Sequence, residues 1–264
     1  MEITSGSAVL AAAETGSGPD VLLVHAGVTD QRSWRHVVDA LPGHRCLTYD
    51  ARGYGRTTYQ PEDGWSPVDD AVAVLDEYDV ERAVVIACSM GGRTALDLAL
   101  TRPERVRALV LIGTAITGAP DLEHLEPGLE DVEARYDAAY EAKDLDELNR
   151  LEAEIWLDGP FHPGRVTGPA RDLFLDMNRI ALEAPEPGDP CQDIDAWASC
   201  GDLTVPTLVL IGEYDLAHTH ANAAHLAEHV SGARLVDLPG VAHLPHLEAD
   251  QRTLTEIAAF VDGL

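Results

Sequence analysis

The sequence predicts an α/β fold, a mostly parallel sheet covered by helices, interrupted in mid-chain by a helical insert. Three observations carry this. Short β-branched runs alternate with helical patterns from about residue 20 to 115. The strands then vanish between about Gly118 and Cys200, where three amphipathic patterns follow one another. The strand pattern resumes at Pro206. The core therefore has two sequence halves, 1–117 and 199–264, around an insert at 118–198.

Val21–Val24 is an apolar run that stops at His25-Ala26-Gly27. Cys46–Tyr49 is a second strand, ending at Asp50 and the Gly-rich segment Arg52-Gly53-Tyr54-Gly55-Arg56. Val68, Val72 and Leu75 mark one face of a helix over Val68–Tyr78. Ala83–Ala87 is almost continuously apolar, as expected of a strand with helices on both faces. A Gly pair follows, then a helix over Thr94–Leu100 that ends near Pro103, then a fourth buried strand at Val106–Ile112. The insert predicts helices at Leu129–Tyr140, Leu145–Trp156 and Arg171–Leu182. In the last two, Leu148, Leu151 and Ile155, and Leu173, Met177 and Ile180, fall at three-and-four spacing. Beyond it come a strand at Pro206–Ile211, a helix near His220–His229, a strand at Ala233–Leu238 and a last helix at Leu254–Phe260.

The chain has 264 residues, with 46 Asp and Glu against 18 Lys and Arg and a net charge of −28. Such a balance repels phosphate backbones and anionic lipid headgroups, which argues against nucleic-acid or membrane-surface binding as the main function. The insert concentrates the charge: residues 118–200 hold 21 Asp and Glu against 6 Lys and Arg. No stretch approaches the ~20 apolar residues that span a bilayer. Met1–Gly18 has no Lys or Arg, and its apolar run Ala8–Ala13 is short for a signal-peptide core, so a cytoplasmic protein is expected. Cys46, Cys88, Cys191 and Cys200 form no CxxC pair and no zinc-like cluster, which predicts reduced thiols and no structural metal.

Ser89, in Ala87-Cys88-Ser89-Met90-Gly91, lies between a buried strand and a helix. A serine at a sharp strand-to-helix turn projects its hydroxyl out of the chain, and small residues two before and two after let the backbone cross itself. A serine hydroxyl needs a base to take its proton and an acid to orient that base. Asp215, in Gly212-Glu213-Tyr214-Asp215 after a later strand, is the candidate acid, ahead of Glu213. Six histidines follow it. His218, His220, His225 and His229 lie in or beside a helix, and His246 follows Pro245 where packing or capping is expected. His243 lies in a Gly-and-Pro-bracketed loop beyond a strand and is the candidate base. An oxyanion hole takes one amide from the loop His25-Ala26-Gly27-Val28, with Gly27 ahead of Val28, and one from Met90, while His25 braces the loop.

These segments in this order resemble the α/β-hydrolase superfamily over nearly the whole chain: Leu23-Val-His-Ala-Gly27, Tyr49-Asp-Ala-Arg-Gly-Tyr-Gly-Arg56, Cys88-Ser-Met-Gly-Gly92, Arg102-Pro-Glu-Arg-Val106, Gly212-Glu-Tyr-Asp215 and Gly240-Val-Ala-His243. Ala26 and Ala87 each replace a usual Gly. The resemblance implies an eight-stranded, mostly parallel sheet with a helical cap after the sixth strand. It implies a serine hydrolase with an acyl-enzyme and no metal or organic cofactor, acting on a small molecule as monomer or homodimer. Within the superfamily the chain is most similar to small capped esterases and lactonases. Thioesterase, C–C hydrolase and cofactor-free haloperoxidase-like activities remain open, and so does a slow-turnover small-molecule-binding protein on the same fold. The acidic insert predicts a neutral ester or lactone, held by Val28, Trp156, Phe174 and Met177.

Overall fold

The structure is a computed structural model that describes residues 1–120, 128–191 and 194–264. Its first part holds β1 (Glu2–Ser5), β2 (Ala8–Gly16), β3 (Asp20–Val24), α1 (Arg35–Ala40), β4 (Arg45–Tyr49), the two-residue β5 (Thr58–Tyr59), α2 (Pro67–Glu77), β6 (Ala83–Cys88), α3 (Met90–Thr101) and β7 (Val106–Ile112). Three helices follow, α4 (Glu130–Ala142), α5 (Leu145–Glu152) and α6 (Pro169–Glu183), with a π-helical turn at Ala153–Asp158. The chain closes with α7 (Ala196–Ser199), β8 (Thr207–Gly212), α8 (Ala217–His229), β9 (Arg234–Leu238) and α9 (Gln251–Asp262).

Among the described residues one sheet runs β1-β2-β4-β3-β6-β7-β8-β9, with β5 paired to β2. Neighbours from β4 to β9 are parallel, and β1, β2 and β5 pair antiparallel. The insert thus follows the sixth of the eight strands on that path. Alternate residues of the parallel strands feed two cores. Leu22, Val85 and Leu109 join the side chains of α2, α3 and α8, whereas Leu23, Ile86 and Val110 join those of α1 and α9. All six have no exposed surface, and burying each contributes about 1.5–3 kcal/mol. Because β4 and β6 cross over in opposite directions from β3, the ends of β3 and β6, where His25–Val28 and Ser89 emerge, are the switch point of the sheet, the place where open α/β sheets bind ligands.

The β1–β2 hairpin, α1, β5 and α7 have no counterpart in the sequence expectation, and α5 departs from it. β1 and β2 form a hairpin in which Ala8, Leu10 and Ala12 turn inward; alanines at inward and outward positions of β2 alike blur the alternation that marks a strand. The helix expected over Leu145–Trp156 stops at Glu152 and widens into the π turn. The wider turn carries Leu157 to full burial while Ile155 stays half-exposed.

The far end of the insert is strapped to the core. Glu62 N–H donates to Pro187 O at 2.9 Å, Gly64 N–H to Asp189 O at 2.7 Å and Cys191 N–H to Trp65 O at 2.8 Å. The Trp65 indole donates to Gly188 O at 2.9 Å. No helix among the described residues is long and apolar enough to cross a membrane.

Candidate active site

Ser89 sits between β6 and α3 with φ 52° and ψ −117°, a conformation that is strained for any residue with a side chain. Its neighbours hold it there. Ser89 N–H donates to Ile112 O at 3.0 Å, and its carbonyl accepts from Gly92, Arg93 and Ala115 at 2.9, 3.2 and 3.1 Å. A methyl at Gly91 would stand 2.2 Å from Val24 O, so the crossing tolerates only glycine there. Ala87, two residues before Ser89, is fully buried between Val24 of β3 and Leu111 of β7, and its methyl is accommodated.

Asp215 and His243 meet in the interior. His243 Nδ1 lies 2.8 Å from Asp215 Oδ2 and 3.0 Å from Oδ1, and Leu216 N–H donates to Oδ1 at 2.8 Å. Burial alone would raise the Asp215 carboxyl, but the His243 charge, its hydrogen bond and the Leu216 amide together hold it below the ordinary carboxylate range. A carboxylate only accepts, so Nδ1 carries the proton and Nε2 of a neutral ring is left as the acceptor. Nε2 is buried and has no hydrogen-bond partner among the described residues, Ser89 Oγ included. The Cys88 thiol, one residue from Ser89, reaches His243 O at 3.6 Å. Burial pushes that thiol well above its usual range, so it is no rival nucleophile.

The loop after β3 arrives from the other side. Ala26 O accepts from Thr29 N–H at 3.1 Å and from its hydroxyl at 3.2 Å, closing a turn with Gly27 and Val28 at its centre. Gly27 lies against Met90 and the Tyr54 hydroxyl. Among the described residues the amides of Gly27, Val28 and Met90 reach no backbone acceptor. His25 braces the loop: Nδ1–H donates to Ala26 O at 2.8 Å and Nε2 accepts from Ala51 N–H at 3.0 Å.

The other sequence candidates divide. Trp156, on the π turn, meets the His243 ring with centroids 4.8 Å apart. Glu213 does not touch His243; its carboxylate accepts from Gly240 N–H at 2.8 Å. His246 is fully buried and stacks on Trp34 at 4.3 Å. Phe174 and Met177 have no exposed surface and pack with Leu157 and Val166 on the face of α6 that seats the insert. Val28 stays half-buried beside the same cluster.

One participant carried no sequence signal. Gly113, at φ +50°, comes so close that a methyl there would lie 2.8 Å from His243 Nδ1 and 2.9 Å from Asp215 Oδ2. A cleft of about 820 Å³ is lined by Tyr54, Met90, Arg93 and Asp97, and reaches none of Ser89, His243 or Trp156. Among the described residues no cluster of His, Cys, Asp or Glu gathers to hold a metal ion.

The model of the α/β hydrolase fold family matches residues 19–250. The chain belongs to the α/β-hydrolase family. This α/β hydrolase is 28% identical over 263 residues to 2-hydroxymuconate semialdehyde hydrolase of Pseudomonas sp. (strain CF600), covering 94% of its own chain and 88% of that one. It is 26% identical over 254 residues to the pimeloyl-[acyl-carrier protein] methyl ester esterase of Nitrosospira multiformis, with 93% and 95% covered. Among solved structures, a hydrolase from Pseudomonas aeruginosa PA01 superposes with a TM-score of 0.78 at 28% identity, over 98% of this α/β hydrolase and 96% of that chain.

Proposed function

We propose that this hydrolase cleaves an ester or lactone bond of a small neutral substrate through Ser89, His243 and Asp215, with residues 118–198 as a cap on a core formed by 1–117 and 199–264. The observation that carries the reading is the buried Asp215–His243 pair, whose free Nε2 belongs to the same end of the sheet as the strained Ser89. In the reaction Ser89 Oγ bonds to the acyl carbon as its proton passes to His243 Nε2. Asp215 holds the Nδ1 proton and stabilises the imidazolium. The amides of Met90 and of Gly27 (or Val28) receive the oxyanion. The imidazolium then gives its proton to the departing alkoxide; water, deprotonated by the same nitrogen, bonds to the acyl carbon, and the imidazolium returns that proton to Ser89 Oγ as the acid leaves.

A serine-directed fluorophosphonate is expected to label Ser89 alone, as read by peptide mass. Ser89→Ala is expected to abolish labelling and His243→Ala to cut p-nitrophenyl ester turnover by ~10³-fold or more. Undiminished labelling in Ser89→Ala would overturn the assignment.

A neutral substrate is favoured by the charge pattern. Each of the insert's arginines, at 135, 150, 165, 171 and 179, is paired to a carboxylate, so none is left to recruit an anion. Four of the insert's acids, Asp121, Glu123, Glu126 and Asp193, lie outside the described residues. A carboxylate-bearing ester is therefore expected to show a lower kcat/KM than a neutral one of equal size, with the gap narrowing as salt rises. Preference for the anion that weakens with salt would mean a locally positive site.

A second reading is hydrolysis of a carbon–carbon bond beside a ketone. It is favoured by the 2-hydroxymuconate semialdehyde hydrolase relative, and turnover of such a ketone above that of any ester would select it.

A further inference from the structure

Between the π turn and α6, one stretch of the insert touches both loops that carry the Asp215–His243 pair. The His162 ring lies on Tyr214, next to Asp215, with centroids 3.8 Å apart. Arg165 is the cross-link. On the insert side its Nε donates to Asp158 O at 2.7 Å and its Nη2 to Leu157 O at 2.6 Å. On the core side Nη1 donates to Glu248 Oε2 at 2.5 Å and to Gly240 O at 3.2 Å, and Nη2 to Glu248 Oε1 at 2.7 Å. Gly240 and Glu248 bracket His243 in the chain.

The arrangement is stiff at both ends. Asp158, with no exposed surface, accepts from Gly164 N–H at 2.7 Å, Val166 N–H at 2.9 Å and the Arg171 guanidinium at 2.7 Å, so the turn that presents Arg165 is fixed separately. The Arg165 and Glu248 side chains are only 19% and 11% exposed, and a bidentate fork in such a setting fixes direction as well as distance. Among the described residues the other hydrogen bonds of the loop from Gly240 to His243 are all to the core: Tyr214 N–H to Val241 O at 2.9 Å, Gly240 N–H to Glu213, the Ala242 amide to Glu248, the Cys88 thiol to His243 O, and the His243–Asp215 pair itself. Trp156, two residues before Asp158, is the insert's direct contact with the imidazole.

We propose that Arg165 is a positioning residue for hydrolysis: by gripping Glu248 and the Gly240 carbonyl from the insert, it holds the His243 imidazole in register with Ser89 beneath Trp156. This rests on the triad reading above. Arg165 itself touches no reacting atom. Its effect arises because a misplacement of about 1 Å in a proton-transfer group costs on the order of 10²-fold in rate. Lysine at this position offers a single nitrogen where the guanidinium serves five acceptor oxygens, so it replaces the charge without the geometry.

The experiment is a double-mutant cycle on ester hydrolysis with the full chain: wild type, Arg165→Lys, Arg165→Met, His243→Ala and Arg165→Met/His243→Ala. Arg165→Met is expected to lower kcat by about 10- to 100-fold with KM changed by less than about threefold, and Arg165→Lys to fall between it and wild type. The residual rate of His243→Ala is expected to be the same with Arg165 or Met at that position, because an effect exerted through the imidazole vanishes with it. Wild-type kcat in Arg165→Met, a loss confined to KM, or an equal fold-loss in the His243→Ala background would each overturn the proposal. If Arg165→Met does not fold by circular dichroism, Glu248→Gln carries the same cycle, with a loss of about 3- to 10-fold in kcat expected; an unchanged kcat there overturns the proposal. A wild-type rate in His243→Ala would sink the triad reading. A deep loss in His243→Ala beside a normal Arg165→Met would sink the Arg165 assignment alone.

Discussion

At Gly113 a hydrogen in place of a methyl leaves room for the Asp215–His243 pair, and the backbone there is left-handed as well. Gly113→Ala is therefore expected to push the imidazole off its line and lower kcat by about 10- to 100-fold, while backbone strain costs about 1 kcal/mol of stability. Kinetics and a denaturant melt on one preparation check both, and a normal kcat would mean the pair yields freely. Nothing in the sequence distinguishes this glycine. Ser89, Asp215 and His243 were legible because each sits in its own short context, a turn or loop after a strand, that announces a projecting side chain. Gly113 and Arg165 matter only through neighbours far along the chain, and a linear reading holds no trace of such contacts. Phe174 and Met177 show the limit of a periodic pattern: an apolar helix face looks the same whether it meets a ligand or a core.

The parallel strands could be read as continuous apolar runs because helices cover both faces, whereas the β1–β2 hairpin, with alanine on both faces of β2, could not. The strap at Pro185–Cys191 was equally silent, since among the described residues every hydrogen bond on its own side is made by backbone and places no demand on side-chain type. Trp65 is one of its side-chain fasteners, with Tyr59 and Asp63: the indole donates to Gly188 O, and the Arg52 guanidinium lies 4.8 Å from the ring. Trp65→Ala is expected to ease local opening of the strap by about 1–2 kcal/mol, and so to speed proteolytic cleavage between Pro185 and Cys191 by about tenfold. Timed digestion with peptide mapping reads this directly. Faster cutting everywhere at once would instead mean that the whole fold is loosened.

Among the described residues of the whole molecule, His25 and His246 are held on the neutral side. Burial pulls His25 below its ordinary range, and burial with the nearby His243 and His36 charges takes His246 from 6.5 to about 3. Between those two values the unfolded chain binds a proton at position 246 that the folded chain does not. Stability therefore rises with pH across this window and is lost as pH falls through it, by up to about 1.4 kcal/mol per unit. His246→Phe keeps a ring against Trp34 and removes two buried, unpartnered nitrogens. Urea melts between pH 4.5 and 7 are expected to show a shallower acid decline in that variant, with near-normal hydrolysis at pH 7; an identical decline would assign the acid sensitivity elsewhere. The same scale bears on how the chain is made. β7 pairs with β8, yet residues 113–206 separate them, so during synthesis the apolar edge of Val106–Ile112 waits bare while the whole insert emerges. At 5–20 residues per second that interval is on the order of 5–20 s. A nascent chain halted inside the insert presents an open, hydrophobic strand edge of the kind that recruits other chains, and it is the arrival of β8 that closes it.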